Sequence, residues 1–323
     1  KFLMKKQFIN QMKTGDEIND FFAINRLDEI LKYKSKSGSW FPFTIGDNTG
    51  TITAKFWGDT EEGTQTVYNF FSDAKVVKIV GKIEEYNDEK YISMNQAGNV
   101  LEKSEDYDSA DYMRKTDKDI PQMIEKLKEE ISKISNTHIK QLLESFSNDD
   151  EFMKKYAKAP AGKMWHHDFV GGLLEHVHSL IAISKTVHAS HPDLDLDLLI
   201  AACILHDIGK TVEFDIGVNI EITDEGRLYG HISIGHKMVA SQIEKIPNFP
   251  KDMEKKVLHI ILSHHGELTN GSPVKPMFSE AVAFAHIDDT DATTQHTKQI
   301  IQRDESEKTW IYSRMDGNWT YTK

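Results

Sequence analysis

Cysteine is almost absent from this chain. Cys203 is the one such residue in 323 and lies in an apolar run, so a disulfide framework is excluded and a reducing, cytoplasmic setting is expected. Long apolar runs are also missing. No stretch of eighteen occurs, which leaves no candidate for a membrane-spanning helix. The N-terminal KFLMKKQFINQMKTGDE is basic, but its apolar part is too short for a secretory signal. Basic residues are in the minority, with 39 Lys and Arg against 51 Asp and Glu and a net charge of −12. A protein that coats a duplex by its phosphates is usually basic, so a general DNA-coating role is disfavoured. Local binding of a few nucleotides is not. An acidic solubilising surface is the plain account of the charge, and carboxylates gathered around metal ions would add to it. Internal repeats and low-complexity tracts are absent as well.

What is present is enough for two compact domains, since 39% of residues are hydrophobic and 28% charged, the proportions of an ordinary folded protein. From about residue 14 to 100 the chain reads as β structure. INDFFAINRLDEILKY, WFPFTI, GTITAKFW and AKVVKIVGKIEEY are β-branched and aromatic runs parted by the turn signals SGS, GDNTG and YNDEK. Thr64 to Ser72 is the one short helical candidate among them. Five strands with a small helix before the fourth is the order of an OB barrel, a pattern that other small barrels share. The polar stretch 102–118 carries no apolar periodicity and reads as a linker. Beyond it the apolar period becomes helical, over roughly 168–188, 194–207, 231–245, 250–265 and 279–301, and prolines mark the joints. Residues 213–227 read as a glycine-containing loop or short hairpin. The tail TWIYSRMDGNWTYTK reads as a two-strand hairpin turning at Asp316-Gly317. The expectation is a multidomain α+β chain: an OB-type domain over 1–101, a linker over 102–118, and a helical domain with a C-terminal hairpin over 119–323.

In the front domain, Trp40, Lys55 and Trp57 stand out within WFPFTIGDNTGTITAKFW. OB barrels stack bases on exposed aromatics and track phosphates with nearby lysines. Most aromatics in so small a barrel are core, which is the competing account. Lys32, Lys34 and Lys36 beside Tyr33 form the best basic cluster, or simply a solvated loop.

Histidine locates the chemistry. Fourteen of the 15 histidines lie between His166 and His296. In LLIAACILHDIGK an apolar helix ends on His206 and Asp207, followed by Gly209 and Lys210. An imidazole and a carboxylate at the end of a buried helix are costly unless paired or bound to a cation. Mixed nitrogen and oxygen donors suit manganese, iron, nickel, cobalt or zinc better than calcium. LLEHVHSL offers His176, GHISIGHKM offers His231, ILSHHGE offers His264 and His265, and AFAHIDDTDA offers Asp288. Lys210, one turn past the helix end, is a natural point charge for a substrate phosphate. His166 and His167 are candidates for substrate contact, as is Asp291, three residues from Asp288 on one helix face.

The order His176, His206-Asp207, Asp288 resembles the signature of the HD-domain metal-dependent phosphohydrolases over about residues 160–300. HHDFVGGLLEH, LHDIGK, TDEGRLYGHISIG, SHHGELTNGSP and IDDTDA are similar to motifs of the YhaM family of 3′→5′ exoribonucleases, which also places an OB-type domain before its HD domain. Where that family's last motif usually reads close to ADNLDA, this chain has IDDTDA, with Asp288 and Asp291 kept and Asp289 in the asparagine position. The resemblance implies that His176, His206, Asp207 and Asp288 hold a first metal, and that Asp207 bridges to a second held by His231, His264 and His265. Two divalent ions, manganese foremost, would activate water for attack on a phosphodiester. Asp207 and Lys210 would carry the catalytic work. It further implies single-stranded RNA or DNA as partner, no membrane, mononucleotide products and a homo-oligomer, although nothing in the residues demands an assembly. The HD signature alone equally fits hydrolysis of a small nucleotide, whether cyclic nucleotide, dinucleotide signal or nucleoside triphosphate.

Overall fold

The computed structural model describes residues 5–87, 89–95, 101–108, 111–162, 167–303, 308–313 and 317–323, with the Arg303 side chain excepted. The chain divides into two units, one of residues 1–115 and 217–219, the other of 116–216 and 220–323.

The first unit is a closed barrel followed in sequence by a helical region. Its strands are β1 (Glu17–Leu27), the short β2 (Leu31–Lys32), β3 (Ser39–Asp47) and β4 (Gly50–Trp57). Helix α1 (Glu61–Ser72) comes next, then β5 (Val76–Tyr86) and β6 (Glu89–Asn95). The strand order β1-β5-β6-β4-β3, with β1 also pairing β3, closes the cylinder. The β4–β6 pair is parallel and the others antiparallel. This is the OB order expected from the five runs, with β2 added as a two-residue extension of β3. Alternation along β3 turns Phe41, Phe43 and Ile45 inward, where they pack with Phe22, Phe56, Ile79, Ile83 and Phe71. Helix α1 begins three residues earlier than the apolar spacing suggests, because the Thr60 hydroxyl accepts from Gly63 N–H and caps it.

Much of the stretch read as a linker is packed on the barrel. Beyond the part of β5 that pairs with β6, Val76–Lys78 has a free ladder edge. Residues 102–104 fill it, through a Val77–Lys103 bridge and hydrogen bonds from Lys78 N–H to Glu102 O and from Ser104 N–H to Val76 O. Tyr112 and Met113 are buried further on. A polar composition hid these backbone bonds, which need no side-chain pattern.

The second unit holds α2 (Ile120–Ser132), α3 (Thr137–Ser147), α4 (Asp150–Lys158), α5 (Gly172–Ser190), α6 (Leu196–Leu205) and the single turn α7 (Lys210–Glu213). A small hairpin, β7 (Phe214–Ile216) and β8 (Ile220–Ile222), precedes α8 (Asp224–Ile243), α9 (Lys251–Ser263), α10 (Ser279–Arg303), β9 (Trp310–Ser313) and β10 (Asn318–Tyr321). Helix α6 is buried on every side from Leu198 to Leu205, as befits a helix that is apolar all round. It packs against α5, α9, α10 and α3, and Asp195 caps it by accepting from Leu198 N–H. Helix α8 starts seven residues before the periodicity predicts, capped by Thr223, and is broken at Gly230, whose φ of 68° and ψ of 154° only glycine adopts readily. The helix therefore restarts at His231. At the C-terminal hairpin Gly317 has φ 62°, while Asp316, the other expected turn residue, lies outside the described residues.

Candidate metal centre

Four helix ends and one helix interior carry the histidine and aspartate cluster. His206 is the C-terminal cap of the buried helix α6, and Asp207 follows it. His264 caps α9, with His265 next. His231 stands at the α8 restart after Gly230. His176 faces inward from the first turns of α5, and Asp288 and Asp291 project from α10. Backbone carbonyls in the last turns of α6 and α9 lie against His206 and His264.

Each of the five candidate histidine ligands has its Nδ1 held by a group that can only accept. His206 Nδ1 lies 3.2 Å from both Ala202 O and Cys203 O. His264 Nδ1 is 2.8 Å from Ile261 O, and His265 Nδ1 is 3.0 Å from Asn270 O. His176 Nδ1 donates to Asp291 Oδ2 at 2.7 Å, and His231 Nδ1 faces Glu213 at 3.2–3.3 Å. A ring that donates through Nδ1 presents Nε2 as the ligating atom, the usual arrangement around a protein metal.

The Nε2 atoms converge around Asp207. Its Oδ1 is 3.5 Å from His231 Nε2 and 3.6 Å from His264 Nε2. Its Oδ2 is 3.1 Å from His206 Nε2. His176 Nε2 is 3.0 Å from Asp288 Oδ1, and His206 Nε2 is 3.8 Å from the same oxygen. The candidate ligands form two sets, His176–His206–Asp288 and His231–His264–His265, each with donor atoms within 4.8 Å of one another, and His167, His176 and Asp291 make a third such group. Asp207 offers one oxygen to each side. Among the described residues no hydrogen bond reaches His206 Nε2, Asp207 Oδ1, His231 Nε2 or His264 Nε2, and all four atoms are buried. An unsatisfied buried polar atom costs about 1–3 kcal/mol, so four facing one another call for a ligand. The donor set of imidazole nitrogen and carboxylate oxygen fits divalent cations of the first transition series.

The charges agree with that fit. Burial opposes ionisation of Asp207, yet the neighbouring Lys210 and His206 hold its carboxyl well below the usual carboxylate range. Burial likewise opposes the Asp288 charge, but His176 and His206 keep it low. Burial would also lower His176; Asp288 and Asp291, on its two nitrogens, instead raise it to about 9. Burial pushes His264 down and takes His265 to about 3, the adjacent His264 adding to the effect. His264 and His265 are therefore neutral and ready to ligate, while His176 holds a proton that a cation can replace.

Three residues expected to contact substrate are engaged within the protein. Lys210 does not face outward: it is 6% exposed and donates to Asp207 Oδ2 at 2.6 Å and to Ala161 O. One helical turn separates it from Asp207, and burial of that carboxylate draws the ammonium inward. Asp291 is 5% exposed and serves as acceptor for His176 and Ser179. His167 is buried with Nε2 3.4 Å from Asp291 Oδ2. His166 lies outside the described residues. Glu175 accepts from Thr116 and pairs with Lys118 at 3.0 Å.

Sequence reasoning missed Glu213, Ser179 and Phe284, whose ring meets His206 edge-on at 5.2 Å. Ser179 and Phe284 lie inside the quoted stretches LLEHVHSL and AFAHIDDTDA, where the ionisable residues drew the attention, and Glu213 stands three residues after Lys210.

In the barrel, β3 and β4 place Trp40 opposite Trp57, with ring centroids 4.9 Å apart. Tyr33 stacks on Trp57 at 6.3 Å and 20°. Lys55 Nζ sits 3.7 Å over the Tyr91 ring, and Lys36 Nζ 4.2 Å over Tyr33. Trp40, Lys55 and Trp57 are all half-buried, on the strand faces opposite the core phenylalanines.

Residues 173–293 match the family model of the HD domain. That span contains all seven candidate ligands, His176, His206, Asp207, His231, His264, His265 and Asp288, together with Asp291. HD domains are typical of metal-dependent phosphohydrolases. Among solved structures, the chain is similar to the OB domain of a Thermoplasma acidophilum protein determined by solution NMR. That likeness is 15% identical over 31% of this chain and 86% of the other, with a TM-score of 0.24.

Proposed function

We propose, with an HD domain at residues 173–293 as the premise, that this chain is a metal-dependent 3′→5′ exonuclease acting on single-stranded RNA, and on DNA as a secondary substrate. The observation that carries the hydrolase part is the meeting of buried, unsatisfied Nε2 and carboxylate atoms around Asp207. His176, His206, Asp207 and Asp288 would hold one divalent ion, and His231, His264 and His265 the other, with Asp207 shared. Bound there, such ions supply Lewis-acid activation of water and neutralise charge developing on the phosphodiester.

The chain's own residues do the rest. Lys210 keeps Asp207 ionised by pairing with the oxygen turned away from His231 and His264. Asp291 fixes His176 through Nδ1, and Ser179 fixes Asp291. Glu213 holds His231 by its ring and by its backbone N–H, so the Gly230 break and the carboxylate together aim that ring. Phe284 limits rotation of His206. Rigid supports of this kind keep ligands in place and raise their basicity.

The exonuclease part is supported by the barrel. Paired Trp40 and Trp57, with Lys55 beside them on β4, provide the flat rings and positive charge with which OB barrels retain single strands. RNA labelled at either end, incubated with manganese, should shorten from the 3′ end and release mononucleotides. Replacing both Trp40 and Trp57 by Ala should raise KM for long strands while sparing hydrolysis of a small nitrophenyl phosphodiester. Turnover of the small diester with untouched RNA would refute the exonuclease reading and favour a small-nucleotide hydrolase.

A further inference from the structure

The seven candidate ligands differ in their access to solvent. His176, His206, Asp207, His264 and Asp288 are buried, while His231 and His265 are half-buried. The rings of those two stand 5.4 Å apart, tilted by 56°. The cluster therefore meets solvent at these two rings. Two short segments border them, residues 224–230 leading into His231 and residues 266–271 leading out of His265.

Glu213 clamps the first segment at both ends. Its backbone carbonyl accepts from Thr223 N–H at 2.9 Å, and its carboxylate accepts from His231 N–H at 3.2 Å. The middle is pressed against the same residue, because a Cβ at Gly226 would stand 2.6 Å from Glu213 O. The two residues before Gly230 are nevertheless turned to solvent, Leu228 being 75% exposed and Tyr229 62%. Two residues of chain span at most about 7 Å, so the clamp keeps Tyr229 close to His231. On the second segment, Asn270 bonds His265 through both its carbonyl and its side-chain amide, and Leu268 is 56% exposed. Large apolar side chains thus stand in solvent on both segments, next to a polar cluster. Exposed apolar surface in such a setting marks a binding site.

Position selects the occupant. Asp224 and Glu225 outnumber Arg227 on the first segment, so its attraction is not one of charge. A phosphate brought to the cluster carries its esterified group with it, and that group comes to rest on what borders His231 and His265. In a nucleotide the group ends in a flat base, and a tyrosine ring offers the matching π face. We propose that Tyr229, flanked by Leu228, is the stacking face for the base of the 3′-terminal nucleotide whose phosphate is held at the metal centre. The inference rests on the exonuclease reading, and names the residue that takes the base at that same site.

The test uses full-length protein saturated with manganese and reads binding by isothermal titration calorimetry. Adenosine 5′-monophosphate and inorganic phosphate are the two probes. Tyr229 is exposed, so its replacement spares the core, and manganese stoichiometry checks the fold of each variant. Tyr229→Ala should weaken the nucleotide by about tenfold or more and leave phosphate within about twofold. Tyr229→Phe keeps the ring and should bind the nucleotide within about threefold of the parent protein. Equal losses for nucleotide and phosphate would overturn the inference and make Tyr229 a support of His231. Unchanged nucleotide affinity in the Ala variant, with the parent protein shortening RNA from its 3′ end, would overturn it and leave the exonuclease reading standing. A selective nucleotide loss in a protein that cleaves a small diester but not RNA would keep Tyr229 as the base's platform and refute the exonuclease reading. Should the parent protein bind neither probe and leave RNA intact, both fall.

Discussion

Asp291→Asn separates a supporting carboxylate from a substrate contact. Asp291 accepts from His176 Nδ1 at 2.7 Å through one oxygen and from the Ser179 hydroxyl through the other. An asparagine keeps one acceptor and turns an NH2 toward the other donor. One buried donor is then unsatisfied, at about 1–3 kcal/mol. The negative charge that helps hold the His176 proton is lost as well. Loss of such a support behind a ligand histidine lowers metal affinity by roughly 10–100-fold, or about 1.4–2.7 kcal/mol. Manganese binding to full-length protein, followed by isothermal titration calorimetry, should weaken by that factor at the first ligand set. KM for RNA, measured at saturating manganese, should stay within about threefold of the parent value. The reverse pattern, with unchanged manganese affinity and a KM raised more than tenfold, would show that Asp291 meets substrate and that the reasoning from its burial is mistaken.

Metal affinity should depend on pH through His176. Its metal-free pKa is raised from 6.5 to about 9, so below that value an entering cation must displace the proton. Affinity should rise by up to about tenfold per pH unit toward pH 9, and calorimetry in buffers of different ionisation enthalpy should count about one proton released at neutral pH. The same shift stabilises the metal-free fold fully below pH 6.5, a contribution lost as pH rises through about 9; melting curves with EDTA at pH 6 and pH 9.5 check the sign. Lys210→Met should destabilise the metal-free protein by about 3–5 kcal/mol, since Asp207 would be left as a buried charge lacking its lysine. Added manganese should restore part of that loss, and an equal melting-temperature drop with and without metal would count against it. Tyr156→Phe removes a buried hydrogen bond to Ile204 O of 2.8 Å and should lower stability by about 1 kcal/mol in urea titrations, with metal stoichiometry unchanged.

The sequence by itself determined most of the secondary-structure types, the OB order of the front strands and which motifs carry the candidate ligands. Period-2 and period-3.6 patterns are local, and Phe41, Phe43 and Ile45 or Leu198–Leu205 declare their environment within a few residues. His206-Asp207 was legible for the same reason, because polar groups at the end of an apolar helix need a partner wherever the helix goes.

Only the tertiary structure decided which way the flanking groups face. Lys210 lies within one turn of the ligands and Asp291 within one turn of Asp288, so spacing alone permits both an outward and an inward role. The packing of α10 on α5 turns Asp291 toward His176, and burial of Asp207 draws Lys210 inward. Glu213 and Ser179 acquire their roles through contacts between segments far apart in the chain, which no local pattern encodes. The same holds for residues 102–104, whose backbone groups complete β5 whatever their side chains. Backbone hydrogen bonds and second-row carboxylates respond to position in space, and position is settled only when the helices and strands have packed.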